Sequence, residues 1–308
     1  MKDLNRREML RFLSRLGLSA AGMTAFSCLG QGCIKDLGSI SVQDALGMVN
    51  SGLTVMQAGL KTVEDITPEQ AYYIGRSTGA ILVQQYKPYW NRSANLYLNM
   101  VGQSLAQFSQ MPILYDGYHF LLLDSDDINA FATPSGLIFV TRGLVRCCSD
   151  EDMLAAVLAH EIAHVQLKHG LGAIKASRIN SFLNVAATEG GKYLDADAAE
   201  KLDQVFESSL DDIVNTMVQS GYSKSQEYDA DMGAVGILEK TGYYPAALPA
   251  MLQNMESKLV SGRHDFFATH PSPANRIAKL QSGQYGAMEM KYSSKVRFAR
   301  FARQTRGV

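Results

Sequence analysis

The sequence predicts an α+β fold, mostly helical, with one small β-sheet. Three observations carry this. Apolar residues recur at helical spacing through most of the 308-residue chain. One stretch, 119–141, switches to short runs of strand formers around a turn signal. No apolar run is long enough for a polytopic membrane protein, and no internal repeat is present.

The elements follow in order. Ser41 can cap a first helix over 41–60, with Val42, Ala45, Leu46 and Val49 at helical spacing. Thr67-Pro68-Glu69-Gln70 is a strong start signal, with a cap, a proline at the first position and an acid in the first turn. The helix it opens runs to about Lys87, before Pro88, and another fits 92–109. His119–Leu123, Ile128–Thr133 and Leu137–Thr141 read as strands, the last two around the turn Pro134-Ser135-Gly136. From Asp150 to Gly170 the 3.6-residue period returns, with Ser149 or Asp150 as cap, Glu151 and Asp152 in the first turn and Gly170 as the stop. Residues 171–220 are helical but weakly signalled, as a lid or a plain hairpin. Helices then fit 225–241, 245–260 and 273–283.

Composition narrows the function. The chain is 46% hydrophobic and 19% charged, with net charge −1, which argues against a nucleic-acid binder working through a large basic face. The charge is uneven: +3 over 1–32, −10 over 33–290 and +6 over 291–308. The first piece reads as an address. Lys2, Arg6, Arg7, Arg11 and Arg15 precede an apolar stretch, Leu16 to Leu29, too short to span a membrane comfortably. NRREMLR resembles a twin-arginine export signal, with an ordinary secretory signal as the alternative. Cys33 is the better candidate for a lipidated cysteine, and cleavage without lipid is the other reading. The chain therefore divides into an export signal (1–32), a linker or helix (33–66), a catalytic domain (67–290) and a basic tail (291–308). The product is expected outside the cytoplasm, in the periplasm of a bacterial envelope, free or lipid-anchored.

The chemistry centres on His160-Glu161-Ile162-Ala163-His164, inside the predicted helix 150–170. Positions i and i+4 share a helix face, so both imidazoles can reach one ion. Glu161 can then hold its carboxylate over water activated by the metal. A catalytic zinc needs a third protein ligand. In YSKSQEYDADMGAV, Glu227 and Asp231 lie four apart on one face. Glu227 can ligate, and Asp231 can accept the free N–H of a ligand histidine.

These motifs resemble the HtpX/Oma/CaaX-prenyl-protease superfamily of zinc metallopeptidases, in particular its soluble, periplasmic Oma-like members. The resemblance covers about residues 70–285. Its blocks are NAFATPSGLIFVTRGL (129–144), DEDMLAAVLAHEIAHVQLKH (150–169), YSKSQEYDADMGAVGIL (222–238) and THPSPANRI (269–277). It implies a zincin-like domain with the sheet beside the active-site helix. It implies one Zn²⁺ per chain, held by His160, His164 and Glu227, with Glu161 as general base and Asp231 behind His160. His270 would stabilise the oxyanion, or would occupy the open zinc position and hold the enzyme off. Arg276 would pair with an acid near the site, or stand on the surface.

The strand pair carries its own expectation. Asn129, Ala130, Phe131 and Ala132 would be a sheet edge to which an extended peptide adds through backbone bonds, unless that edge is covered. The expected partners are thus unfolded or extended polypeptides, and no nucleic acid. His169, five after His164, reads as rotated off the ligand face and complementing the helix C-terminus. His119 reads as structural, His264 as unneeded at the metal, and Cys147-Cys148 as buried. The tail carries six bases and no acids, with Phe298 and Phe301 three apart. It is either an amphipathic helix favouring an anionic membrane surface, or a packed or disordered end. The expected function is a zinc endopeptidase acting on misfolded or unassembled envelope proteins. The alternative is a chaperone or assembly factor whose zinc is capped by His270.

Overall fold

A computed structural model describes residues 66–173, 208, 210–258, 270, 273–282 and 294–308. The helix expected at 41–60, the export signal with Cys33, most of 171–220, His264 and the Pro271-Ser272 step lie outside the described residues. Thr67 opens α1 (Pro68–Gln85) through a reciprocal capping box with Gln70. Asn91 caps α2 (Arg92–Ala106). The sheet follows as β1 (His119–Leu123), β2 (Ala130–Ala132) and β3 (Leu137–Thr141). The remaining elements are α3 (Arg142–Cys147), α4 (Glu151–Gln166), α5 (His169–Gly172), a π-helical turn (Thr216–Ser220), α6 (Lys224–Thr241), α7 (Ala247–Lys258), α8 (Pro273–Ser282) and α9 (Lys295–Gln304).

The sheet order is β1-β3-β2, with β1 parallel and β2 antiparallel to the central β3. Gly136, with φ 79°, closes the β2–β3 turn, and its N–H donates to Thr133 O over 3.0 Å. The two outer edges are treated differently. Along β1, side-chain amides of α2 stand in for a missing strand. Asn95 Oδ1 accepts from Leu122 N (2.9 Å), Asn99 brackets Phe120 through its N–H (3.0 Å) and C=O (2.6 Å), and Gln103 donates to Tyr118 O. The spacing 95, 99, 103 keeps all three on one helix face while the strand advances by two residues per contact.

On the β2 side, Thr133 N donates to Leu137 O and Thr141 N to Asn129 O. That alternation turns the N–H and C=O of Ala132 and the C=O of Ala130 outward, while Asn129 Oδ1 takes the N–H of Ala130. Of the two expectations for this edge, the described residues fit the covered one: Asn129, Ala130, Phe131 and Ala132 are at most 5% exposed. The cause is that both strand faces are packed. Ala130 and Ala132 join the main core beside α4, Phe131 joins a second apolar cluster against Tyr86, and the π-helical turn meets β2.

Helix α4 is buried on nearly every side and runs through the core, packed by β2, α2, α6, α7 and α9. Asp150 caps it, Oδ1 accepting from Met153 N over 2.9 Å. It ends at Gln166, four residues short of the expected Gly170. Lys168 adopts a left-handed conformation, φ 57°, and α5 starts afresh. The closest helix neighbour is α6, capped by Ser223 and ended by left-handed Gly242. A Cβ on Gly233 would lie 2.9 Å from both Ala163 Cβ and Gln166 Nε2, so glycine sets how closely α6 approaches α4.

Of the two C-terminal readings, the described residues fit the packed end. Helix α9 forms, capped by Ser294, but it packs against α4 and α2 and buries Phe301 in the main core. Arg297 pairs with Asp152 (2.8 Å) and Arg300 with Glu151, so two of the six tail bases are engaged by acids of α4. The physical reason is that α4 brings two buried carboxylates to its first turn, and desolvated carboxylates need partners. Among the described residues, no helix is long and apolar enough to cross a membrane.

Candidate metal centre

His160, Glu161 and His164 sit within α4, each 1% exposed. Glu227 and Asp231 come from the first two turns of α6, and His270 from the segment before α8. Helical geometry stacks His160 over His164, with Nε2 atoms 3.1 Å apart. Glu227 faces both: Oε2 lies 3.5 Å from His160 Nε2, and Oε1 3.4 Å from His164 Nε2. Donor atoms bound to a tetrahedral zinc at 2.0–2.1 Å lie about 3.3 Å from one another. The three contacts bracket that spacing, and two imidazoles with one carboxylate suit Zn²⁺. His270 joins the group: Nδ1 lies 2.7 Å from Glu227 Oε1, and one ligand atom from each of the four residues lies within 4.8 Å of the others.

A second layer fixes the ligands. Asp231 Oδ1 is 3.1 Å from His160 Nδ1, leaving Nε2 for the donor group. Arg276, fully buried on α8, grips Asp231 with two parallel bonds, Nε to Oδ2 at 2.8 Å and Nη2 to Oδ1 at 2.5 Å. Its Nη1 reaches Glu227 Oε2 at 3.2 Å. Burial opposes charge on Asp231, but Arg276 outweighs it and holds that carboxyl below its ordinary range. Glu227 is likewise held well below its ordinary value: burial is overcome by the charge of His270 and by bonds from His160, His164 and His270.

His169 belongs to this layer too, which corrects its sequence reading. It is 7% exposed, and its Nδ1 lies 2.9 Å from His164 Nδ1. Five residues along a continuous helix would rotate it away, but the break at Lys168 swings it back. Tyr222 was also missed. Its ring stacks on His164 with centroids 4.2 Å apart and planes at 22°. Burial pushes His164 down to about 3, so the neutral imidazole that a metal requires is its resting form.

Glu161 differs from the other acids. Burial pushes its carboxyl up to about 7, with Glu227 adding to the rise and His160 opposing it. Its Oε1 has no hydrogen-bond partner among the described residues. An unpaired buried carboxylate oxygen next to a cluster of ligand atoms is placed to take a proton. The predicted substrate strand, Asn129–Ala132, lies alongside in β2, packed against α4.

The family model described as Peptidase family M48 matches residues 92–284. A beta-barrel assembly-enhancing protease of Escherichia coli O157:H7 is 27% identical over 188 residues, 60% of this chain and 38% of that protein. Its namesake in Yersinia pestis is 28% identical over 242 residues, 73% of this chain and 48% of that protein. The metalloprotease LoiP of Escherichia coli K12 is 26% identical over 245 residues, 77% of this chain and 88% of that protein. The chain thus spans less than half the length of the beta-barrel assembly-enhancing proteases that it matches.

Proposed function

Because the chain belongs to peptidase family M48, we propose that it is a zinc-dependent endopeptidase cleaving unfolded or unassembled envelope polypeptides. The observation that carries this is the buried convergence of His160, His164 and Glu227 beside a glutamate, Glu161, whose Oε1 is unpaired. His160, His164 and Glu227 would hold the zinc. When bound, zinc supplies Lewis acidity that polarises the scissile carbonyl and acidifies water. Glu161 takes the proton of the attacking water at Oε1 and returns it to the leaving amine. Asp231 accepts the Nδ1 proton of His160, and Arg276 holds Asp231 in place. The N–H and C=O of Ala132 and the C=O of Ala130, turned away from β3, are the groups with which an extended substrate would pair. That mode reads backbone rather than side chains, which suits unfolded targets. The relatives are named for β-barrel assembly, and unassembled barrel strands are extended segments of this kind. The export signal at 1–32 supports placing the enzyme in the envelope.

One observation favours a second reading. His270 stands within the donor group and the β2 edge is buried, so the resting site is closed. A closed site fits a latent enzyme, or a binding protein that turns over little. Three proteins separate these: wild type, Glu161→Gln and His270→Ala, each assayed for zinc content and casein hydrolysis. Glu161→Gln is expected to keep one zinc and lose at least about a hundredfold in rate. Retained activity would remove Glu161 as the base. His270→Ala is expected to raise turnover if the histidine caps the site, and to lower it if the histidine stabilises the oxyanion.

A further inference from the structure

A cavity of about 390 Å³ opens beside His164, and no step of the proposed reaction uses it. Its floor is the end of α4 and the turn after it, His164, Val165 and Lys168; one wall is the β2–β3 turn from Ala132 to Ser135. The opposite wall is Ala71 and Tyr72 of α1, with Met111, Ile113 and Tyr115 of the α2–β1 loop. We propose that this cavity is the specificity subsite of the peptidase, accepting a large apolar or aromatic substrate side chain next to the scissile bond and rejecting Lys and Arg. The proposal rests on the peptidase reading above and names its substrate preference.

Position is the first argument. A peptide laid along β2 passes Ala132 and Thr133, which line the cavity together with Pro134 and the candidate ligand His164. Side chains of an extended peptide alternate, so one of every two points away from the strand and the next can enter a pocket beside it.

The chemistry of the lining is the second. It is predominantly aliphatic and aromatic, and among the described residues its only formally charged side chain is Lys168. A buried cationic guest would meet that ammonium with no acid among the described lining residues to neutralise it. Lys168 is held there by its left-handed backbone, φ 57°, a conformation costly for a lysine. At the rim, Ile113 is 89% exposed and Tyr115 50% exposed. Large apolar side chains standing in solvent around a concave mouth are the mark of a surface that is covered in use.

The wall is preformed. Arg76 bonds Asp116 at 2.6 Å and sits over the Tyr72 ring at 4.9 Å, while the Tyr72 and Tyr115 rings pack at a tilt of 57° with centroids 5.0 Å apart. Gln110 N donates to Gln166 Oε1 at 2.8 Å, tying the loop to the end of α4. A rigid pocket accepts a guest without ordering cost.

The test uses the full-length zinc protein. Denatured casein is digested and cut sites are aligned by mass spectrometry. Two peptides are then made, identical except for Phe or Ala at the enriched position. Wild type is expected to prefer the Phe peptide by about tenfold or more in kcat/KM. Ala71→Phe, which fills the cavity from the α1 wall, is expected to cut that preference to about twofold or less, with melting temperature and zinc content unchanged. Ile113→Asp, at a position too exposed to threaten folding, should lower it in the same direction. Lys168→Glu should admit Arg at this position. No apolar enrichment at any position, or a preference unmoved by both Ala71→Phe and Ile113→Asp, would overturn the subsite. Binding of the same two peptides, labelled and followed by anisotropy, separates the two levels. Tighter binding of the Phe peptide without hydrolysis sinks the peptidase reading and keeps the pocket. Hydrolysis with equal binding and equal rates does the reverse.

Discussion

His164 is held on three sides. Its Nε2 faces the other donors, its Nδ1 meets His169 Nδ1 at 2.9 Å, and its ring lies flat on Tyr222. For Nε2 to hold a metal, Nδ1 must carry the proton and His169 must accept it. Replacing His169 with Ala is therefore expected to weaken zinc binding about 10–100-fold in competition with a chelating dye, with His169→Asn recovering part of the loss through its amide oxygen. Equal affinity in the Ala variant would sink the assignment. The contrast with Asp231 is instructive. His160, His164, Glu227 and Asp231 were legible because each pair obeys the four-residue spacing of an unbroken helix. His169 was not, because its position depends on the left-handed turn at Lys168, and lysine gives no warning of that conformation.

At the scale of elements, the first turn of α4 is where sequence and structure part. Glu151 and Asp152 read as ordinary acids near a helix N-terminus. In the fold Glu151 is fully buried, taking hydrogen bonds from Tyr97 (2.8 Å), Tyr243 (2.9 Å) and Arg300 Nε (2.6 Å). Arg297 of α9 reaches Asp152 and lies 4.4 Å over the Tyr243 ring. The amphipathic tail helix was visible in sequence, but its partner was not, because periodicity describes a face and never names what covers it. Among the described tail bases, Lys295 and Arg303 of α9 and Arg306 just after it are exposed, whereas Arg297 and Arg300 are engaged by α4. Removing one partner of a desolvated pair leaves the other charge stranded, so Arg300→Met should destabilise the fold by about 2–3 kcal/mol, less than for a wholly buried pair because solvent reaches the arginine. The pH dependence has a definite sign. Burial alone would raise Glu151, but the bonds from Arg300, Tyr97 and Tyr243 outweigh it and hold the carboxyl below its ordinary 4.5. The unfolded chain thus takes up that proton first as pH falls. The stabilisation is complete above about pH 4.5 and fades below it, so the gap between wild type and Arg300→Met, read from urea melts, should close in acid. A gap independent of pH would refute the pairing.

Across the whole molecule, the ligand atoms come from three separated stretches, α4, α6 and the segment at His270. The unfolded chain keeps only the His160–His164 pair together, so the proposed zinc would bind the native state selectively and stabilise it by mass action. With free zinc at a thousand times its dissociation constant the gain is about 4 kcal/mol, and stripping the metal with a chelator should lower the melting temperature by roughly 10 °C, reversibly. An unchanged melt would mean that the donors hold no ion. The overall class was readable for a plain reason: periodicity and caps are local. Which sheet edge is sealed was not, since Asn95, Asn99 and Gln103 look like ordinary polar positions of an amphipathic helix until β1 is laid beside them. The clasp of α9 on α4 joins residues 145 and 149 positions apart, Asp152 to Arg297 and Glu151 to Arg300. A ribosome adding 5–20 residues each second needs about 7–30 s to cover that distance. Throughout that interval every newly made copy carries the acids of α4 without their arginines, and the helix that bears His160 and His164 has an unfinished first turn. Its vulnerability to quality-control proteases is therefore concentrated in the time of its own synthesis.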